Sequence, residues 1–190
     1  MARILGEAMS KGLGQRVIVE AKPGAAGVLA SETLTRAAPD GYTLLMLTAA
    51  HVTTANLVKI KYDPVDDFAM LTTVGFFPYV IAVRAEHPFK SLSDLIAAAK
   101  AKPGEITYTS VGVGSVPHLT GELLSAQAGI KMTHVPYRGG TGPITDVLGG
   151  RVDVLIDTQT VSMPHITSGA ARGLAVTSKA PWPGVPGVPT

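Results

Sequence analysis

Residues 106–124, ITYTSVGVGSVPHLTGELL, restrict the fold more than any other part of this chain. The opening run is rich in β-branched and aromatic residues and predicts a strand. Gly112 and Gly114 follow, where the backbone can bend sharply and approach a ligand closely. A helical pattern then begins at Ser115, a residue type that caps helices, with Pro117 in the first turn, where proline is tolerated. Strand, glycine turn and helix in this order form a βα unit. The first turn of such a helix presents free N–H groups and the positive end of its dipole. A carboxylate or phosphate suits that position, and no charged side chain is required.

The same grammar recurs along the chain. Helical spacing of Ile4, Leu5, Ala8, Met9 and Leu13 is ended by Gly12 and Gly14. Strands are predicted at 17–19, 42–47, 68–74, 79–83, 106–110, 132–135, 152–156 and 174–177. Helices are predicted at 28–38, 91–101, 143–148 and 162–168, with Ser91 or Ser93 capping the second. Pro39-Asp40-Gly41 and Pro103-Gly104 are strong turns. Strands alternating with helices imply an α/β fold with a largely parallel sheet, in which ligands bind beyond the carboxyl ends of the strands. The loops after Leu47, Thr109, Val135 and Ile156 lie at such ends. The tail 181–190, PWPGVPGVPT, reads as a connector.

Composition limits the function. Apolar residues make up 46% of the chain and charged residues 16%, so it can bury a core. The net charge of +2 comes from scattered lysines and arginines, which argues against a nucleic-acid partner. The absence of cysteine excludes disulfides, zinc–thiolate sites and cysteine nucleophiles. Met1-Ala2-Arg3 leads directly into the first helical pattern, and no leader or membrane-spanning run is read.

Chemical motifs are few. Gly112-Val113-Gly114 is no dinucleotide fingerprint, because Pro117 takes the third glycine position. Ser115 and His118 lack a G-x-S-x-G elbow, and Ser115 is better read as a cap. The five histidines form no H-x-x-x-H pair, so neither metal nor cofactor is expected. Asp63, Asp66 and Asp67 read as a solvated bend. His134 lies within a strand and reads as a satisfied, partly buried side chain. The candidate ligand residues lie on the four loops: Thr48 and His51; Ser110, Gly112, Gly114, Ser115 and His118; Arg138, Gly139, Gly140 and Thr141; and Asp157. Arg138 reads equally as a carboxylate partner or as a solvated cation. Asp157 either faces the ligand or caps the following loop.

Several segments together resemble the periplasmic solute receptors of tripartite tricarboxylate transporters, the Bug family. They are VIVEAKPGAAG, AAPDGYTLL, YDPVDDF, SVGVGSVPHLTGELL, HVPYRGGTGPITDVLGGRVDVLID and ARGLAVTS, in the family's order across nearly the whole chain. The resemblance implies a type II periplasmic-binding-protein fold of two lobes. Residues 1–75 and 179–190 would form lobe one, and residues 76–178 lobe two. It further implies that the family's first strand, first ligand loop and C-terminal segment are missing, leaving lobe one truncated. The implied function is capture of a small organic carboxylate, without chemistry, for the membrane subunits of the transporter in the periplasm. An α/β enzyme acting on a small anionic metabolite is the alternative. An incomplete lobe would also leave sheet edges open to self-association.

Overall fold

The computed structural model describes residues 1–190. Its first half is helical and extended. Helix α1 (Ala2–Leu13) comes first, and a 3-10 turn at Ala25–Gly27 leads into α2 (Val28–Thr35). A short helix, α3 (Ala50–Thr54), stands where a polar loop is expected from the sequence. The second half contains β1 (Tyr79–Arg84), α4 (Leu92–Ala101), β2 (Thr107–Ser110), α5 (Val116–Ala128) and β3 (Thr133–Pro136). It continues through α6 (Gly142–Leu148), β4 (Leu155–Thr158), α7 (Gln159–Thr167) and β5 (Ala171–Val176). Helix α4 has the reciprocal cap that its sequence suggests: Asp94 N–H donates to Ser91 Oγ at 3.2 Å, and Ser91 N–H donates to Asp94 Oδ2 at 2.9 Å.

Against the largely parallel sheet expected from the sequence, two of the three strand pairings are antiparallel. β2 and β3 pair in parallel, and a parallel bridge from Tyr108 to Val154 joins them to the start of β4. β1 lies between β4 and β5 and runs against both. β2, β3, β4 and β5 therefore run one way, and β1, although α4 connects it to β2, runs the other way.

Alternation along β1 divides the core. Ile81 and Val83 pack with Leu95 and Ala99 of α4 and with Tyr108, while Val80 and Ala82 pack with Ile144 and Val147 of α6. Val185 and Val188 are buried in this second cluster, and Val176 N–H donates to Pro189 O at 2.7 Å. The tail is therefore part of the 76–178 core, not a connector toward residues 1–75. Glycine at 173 makes room for it, because a Cβ there would lie 2.6 Å from Val188 Cγ2.

Three expected strands, at 17–19, 42–47 and 68–74, join no sheet. Their composition favours extension, but a strand is stabilised by its neighbours. Here Ile18, Tyr42 and Leu71 are 77%, 92% and 75% exposed. What core the first half has surrounds His51, which stacks on Tyr62 and meets Phe68 edge-on. Both large apolar clusters lie in the second half. Limited trypsin digestion should therefore cut first between residues 14 and 78 and leave a core running from near Tyr79 through Val188. A first cut inside α4–β5 would contradict this assignment of stability.

Candidate functional site

The C-terminal end of β2 is built around the Ser110 hydroxyl. It accepts from Gly112 N–H at 3.0 Å and pairs with His134 Nε2 on β3. The chain then turns through Gly112 (φ 125°) and Gly114 (φ 82°), conformations that favour glycine. Ser115 takes the N-cap position of α5, but its hydroxyl donates to Gly112 O at 2.6 Å instead of capping the helix. The expected cap bond is therefore not made. The side chain tightens the turn, and the first turn of α5 carries no side-chain cap.

Three turns converge on Gly112. A Cβ on Gly112 would lie 3.7 Å from Ala26 N and 3.9 Å from Tyr137 O. Ala26 belongs to a run of positive-φ residues, Gly24 to Gly27, that opens α2; Ala25 and Ala26 have φ 46° and 52°. For alanine this conformation costs on the order of 1–3 kcal/mol, a strain characteristic of functional turns. Tyr137 N–H donates to Ser110 O at 2.9 Å, and Tyr137 OH donates to Asp146 Oδ2 at 2.6 Å. These bonds pin the third turn, Arg138 to Thr141, against the first. Burial and the Asp146 bond push the Tyr137 hydroxyl up to about 12. Arg138 is exposed, and Gly139 and Gly140 have φ 95° and 79°.

Helix α3 closes the loop from the other side. Thr53 Oγ1 donates to Gly114 O at 3.3 Å. Thr54 is 1% exposed, and its Oγ1 has no hydrogen-bond partner. That oxygen lies 3.0 Å from where a Gly114 Cβ would be. A buried hydroxyl without a partner is unusual and points to a role in holding something polar.

The expected residues are only partly brought together. Ser110, Gly112, Gly114, Ser115 and His118 form one loop, and Arg138 to Thr141 adjoin it. His51 is held away from this loop by other partners. It is buried, with Nδ1 on Ser31 Oγ and Nε2 on Pro64 O, both at 2.9 Å. The helical turn of α3 directs His51 into the core and Thr53 and Thr54 toward Gly114. Thr48 is exposed and serves α3 through its carbonyl, which accepts from His51 N–H at 2.9 Å. Asp157 Oδ1 accepts from the adjacent Thr158 N–H at 2.6 Å, α7 has no side-chain cap, and burial pushes the Asp157 carboxyl up. Ala26, Thr53 and Thr54 adjoin the candidate loop, Ala25 shares the turn of Ala26, and the sequence did not single them out. The glycines flanking Ala25 and Ala26 were the available signal.

Behind the loop lies a stack of aromatic and titratable groups. The rings of His118 and His134 are 4.2 Å apart, and Tyr108 stacks on His134 at 5.1 Å. Tyr108 OH donates to Glu122 Oε1 at 2.6 Å, and burial and this carboxylate push its pKa far up. Burial, then the neighbouring His118, hold His134 below the ordinary imidazole value. A surface hollow of about 470 Å³ lies elsewhere, between Glu7 and Arg16. It is open and has no hydrophobic lining residue, so the convergence at Gly112 is the better candidate.

The profile of the tripartite tricarboxylate transporter family receptor, TctC, matches residues 1–190. The chain belongs to this receptor family. It is 34% identical over 191 residues to the UPF0065 protein in the tcbD-tcbE intergenic region of Pseudomonas sp. strain P51. That match covers 100% of this chain and 57% of the relative. Among solved structures, periplasmic binding protein BugD is 34% identical with a TM-score of 0.88. R. palustris Rpa4515 with adipate is 32% identical with a TM-score of 0.92. Each covers 100% of this chain, which spans 64% of either structure. This TctC-family chain thus has the α/β fold of the periplasmic binding proteins.

Proposed function

We propose that this chain captures a small organic dicarboxylate in the periplasm and presents it, unchanged, to the membrane subunits of a tripartite tricarboxylate transporter. The observation that carries the proposal is the meeting of three glycine-rich turns at Gly112. Free backbone donors at Ala26, at the first turn of α5 and at Gly139–Gly140 would share one carboxylate. Arg138 supplies the nearby positive charge. The adipate held by the R. palustris relative supports the ligand class. Residues 1–75 and 76–178 act as two lobes whose closure traps the ligand, and the closed form is what the membrane subunits recognise.

Ser110 and His134 resemble a nucleophile and its base, but Ser110 is 1% exposed and its oxygen is held on three sides, so no substrate reaches it. Calorimetry at pH 7 should show saturable binding of succinate or adipate, weaker binding of acetate, and recovery of the ligand intact. No heat with any di- or tricarboxylate would defeat the reading.

The exposed apolar segments at 17–19, 42–47 and 68–77 support a second property. Two copies of the chain should associate through these unpaired stretches. Sedimentation velocity should show a mass that rises with concentration. A single monomeric boundary over a hundredfold range of concentration would exclude it.

A further inference from the structure

The turn at Gly112 is held from the neighbouring strand. β2 and β3 pair in parallel with Tyr108 opposite His134. His134 therefore shares a face with Ser110, two residues further along β2. Its ring packs on His118 of α5 at 4.2 Å and stacks on Tyr108 at 5.1 Å. Tyr108 is fully buried and tied by its hydroxyl to Glu122. Packing thus fixes where His134 Nε2 meets Ser110 Oγ.

The hydrogen bonds at Gly112 decide which way the Ser110 hydroxyl points. Gly112 O accepts from Ser115 Oγ at 2.6 Å and from Ser115 N–H at 3.2 Å. These two donors use both lone pairs of the carbonyl. Ser110 Oγ also lies 3.1 Å from Gly112 O, but no acceptor capacity is left for it there. Its hydrogen goes instead to His134 Nε2, and its lone pairs face Gly112 N–H, which donates at 3.0 Å. Such an imidazole is neutral and carries its hydrogen on Nδ1. Burial, and then His118, favour the neutral ring.

We propose that His134 is a positioning residue for the ligand loop: it accepts the Ser110 hydrogen and so keeps the Ser110 oxygen turned to the Gly112 amide. The inference rests on reading the Gly112 turn as a carboxylate site. Gly112 has φ 125° and is the point that approaches Ala26 N and Tyr137 O. Without an acceptor at 134, the hydroxyl hydrogen turns to Gly112 O. There it competes with Ser115 and draws the lone pairs away from Gly112 N–H. The loop then loosens at the residue where the three turns meet. Ser110 is 1% exposed, and His134 acts through it, not by touching the ligand.

The test uses the full chain at pH 7. Long-range proton–nitrogen NMR of the His134 ring should show Nδ1 protonated and Nε2 bare. His134→Leu fills the strand position without an acceptor. It should shift the Gly112 amide resonance and weaken succinate binding about tenfold, the size expected for stranding one buried hydroxyl. His134→Gln places a side-chain carbonyl near the position of Nε2 and should restore most of the affinity, which a space-filling role would not require. In a Ser110→Ala background, His134→Leu should cost no further affinity, because the link it acts through is gone. A hydrogen on Nε2, equal affinities in the Leu and Gln variants, or additive losses in the double variant each overturn the assignment. If His134→Leu does not fold, the ring tautomer decides alone. If the wild-type chain binds no di- or tricarboxylate, the carboxylate reading fails and the positioning role falls with it. Binding that is unchanged in His134→Leu removes the role of His134 alone.

Discussion

Gly121→Ala should destabilise the protein by about 2 kcal/mol net, even though alanine is the better helix former. Gly121 is buried on α5 directly over the ring of Tyr108. A Cβ there would lie 2.6 Å from Tyr108 Cζ and 2.8 Å from Cδ2, inside van der Waals contact. The ring has nowhere to go. It is fully buried, stacked on His134 and tied by its hydroxyl to Glu122. Overpacking of this kind costs roughly 1–3 kcal/mol and sometimes more, whereas the helix preference returns no more than about 1 kcal/mol. The clash wins, and a chain of this size should lose on the order of 5 °C in melting temperature. Tyr108→Leu in the Gly121→Ala background should recover part of the loss relative to Tyr108→Leu alone. A melting temperature within about 1 °C of wild type would show that α5 can slide off β2 without cost.

Gly114→Val should abolish succinate binding or weaken it by at least about tenfold, while Ser115→Ala should weaken it far less. At φ 82° a β-branched residue is strained by roughly 1–2 kcal/mol, which drives the loop out of this conformation. Its Cβ would also press on Thr54 Oγ1 at 3.0 Å, on Leu57 Cδ1 at 3.4 Å and on the Thr54 main chain at 3.5 Å, displacing α3 from the loop. Ser115→Ala removes one hydroxyl bond to Gly112 O and leaves the turn its Ser115 N–H to Gly112 O bond, for a loss of about 1 kcal/mol. Calorimetry on the two variants would check the order. Unchanged affinity in Gly114→Val would remove this loop from the ligand site.

The local features were legible and the non-local ones were not. The βα unit around Gly112 could be read because its strand, turn and cap signals agree within 19 consecutive residues. The direction of β1 could not, since hydrophobic alternation is the same in either direction. Residues 17–19, 42–47 and 68–74 carry strand-forming side chains, but pairing depends on partners that sequence periodicity does not name. The direction of His51 was not legible because α3 spans only Ala50–Thr54, too short to show a helical period. Ala25 and Ala26 escaped because alanine does not advertise a left-handed backbone. The tail looked like a linker because its prolines and glycines mask the two valines that fill the core.

The reversed strand also fixes an order of events at birth. β1 ends at Arg84, but both of its neighbours come much later, β4 at Leu155 and β5 at Ala171. At about 5–20 residues per second, the ribosome leaves β1 unpaired for on the order of ten seconds. Throughout that interval Val80, Ile81, Ala82 and Val83, which end fully or almost fully buried, form an uncovered apolar run. The nascent chain is most vulnerable to misassembly there, and synthesis of β5 and the tail ends that exposure.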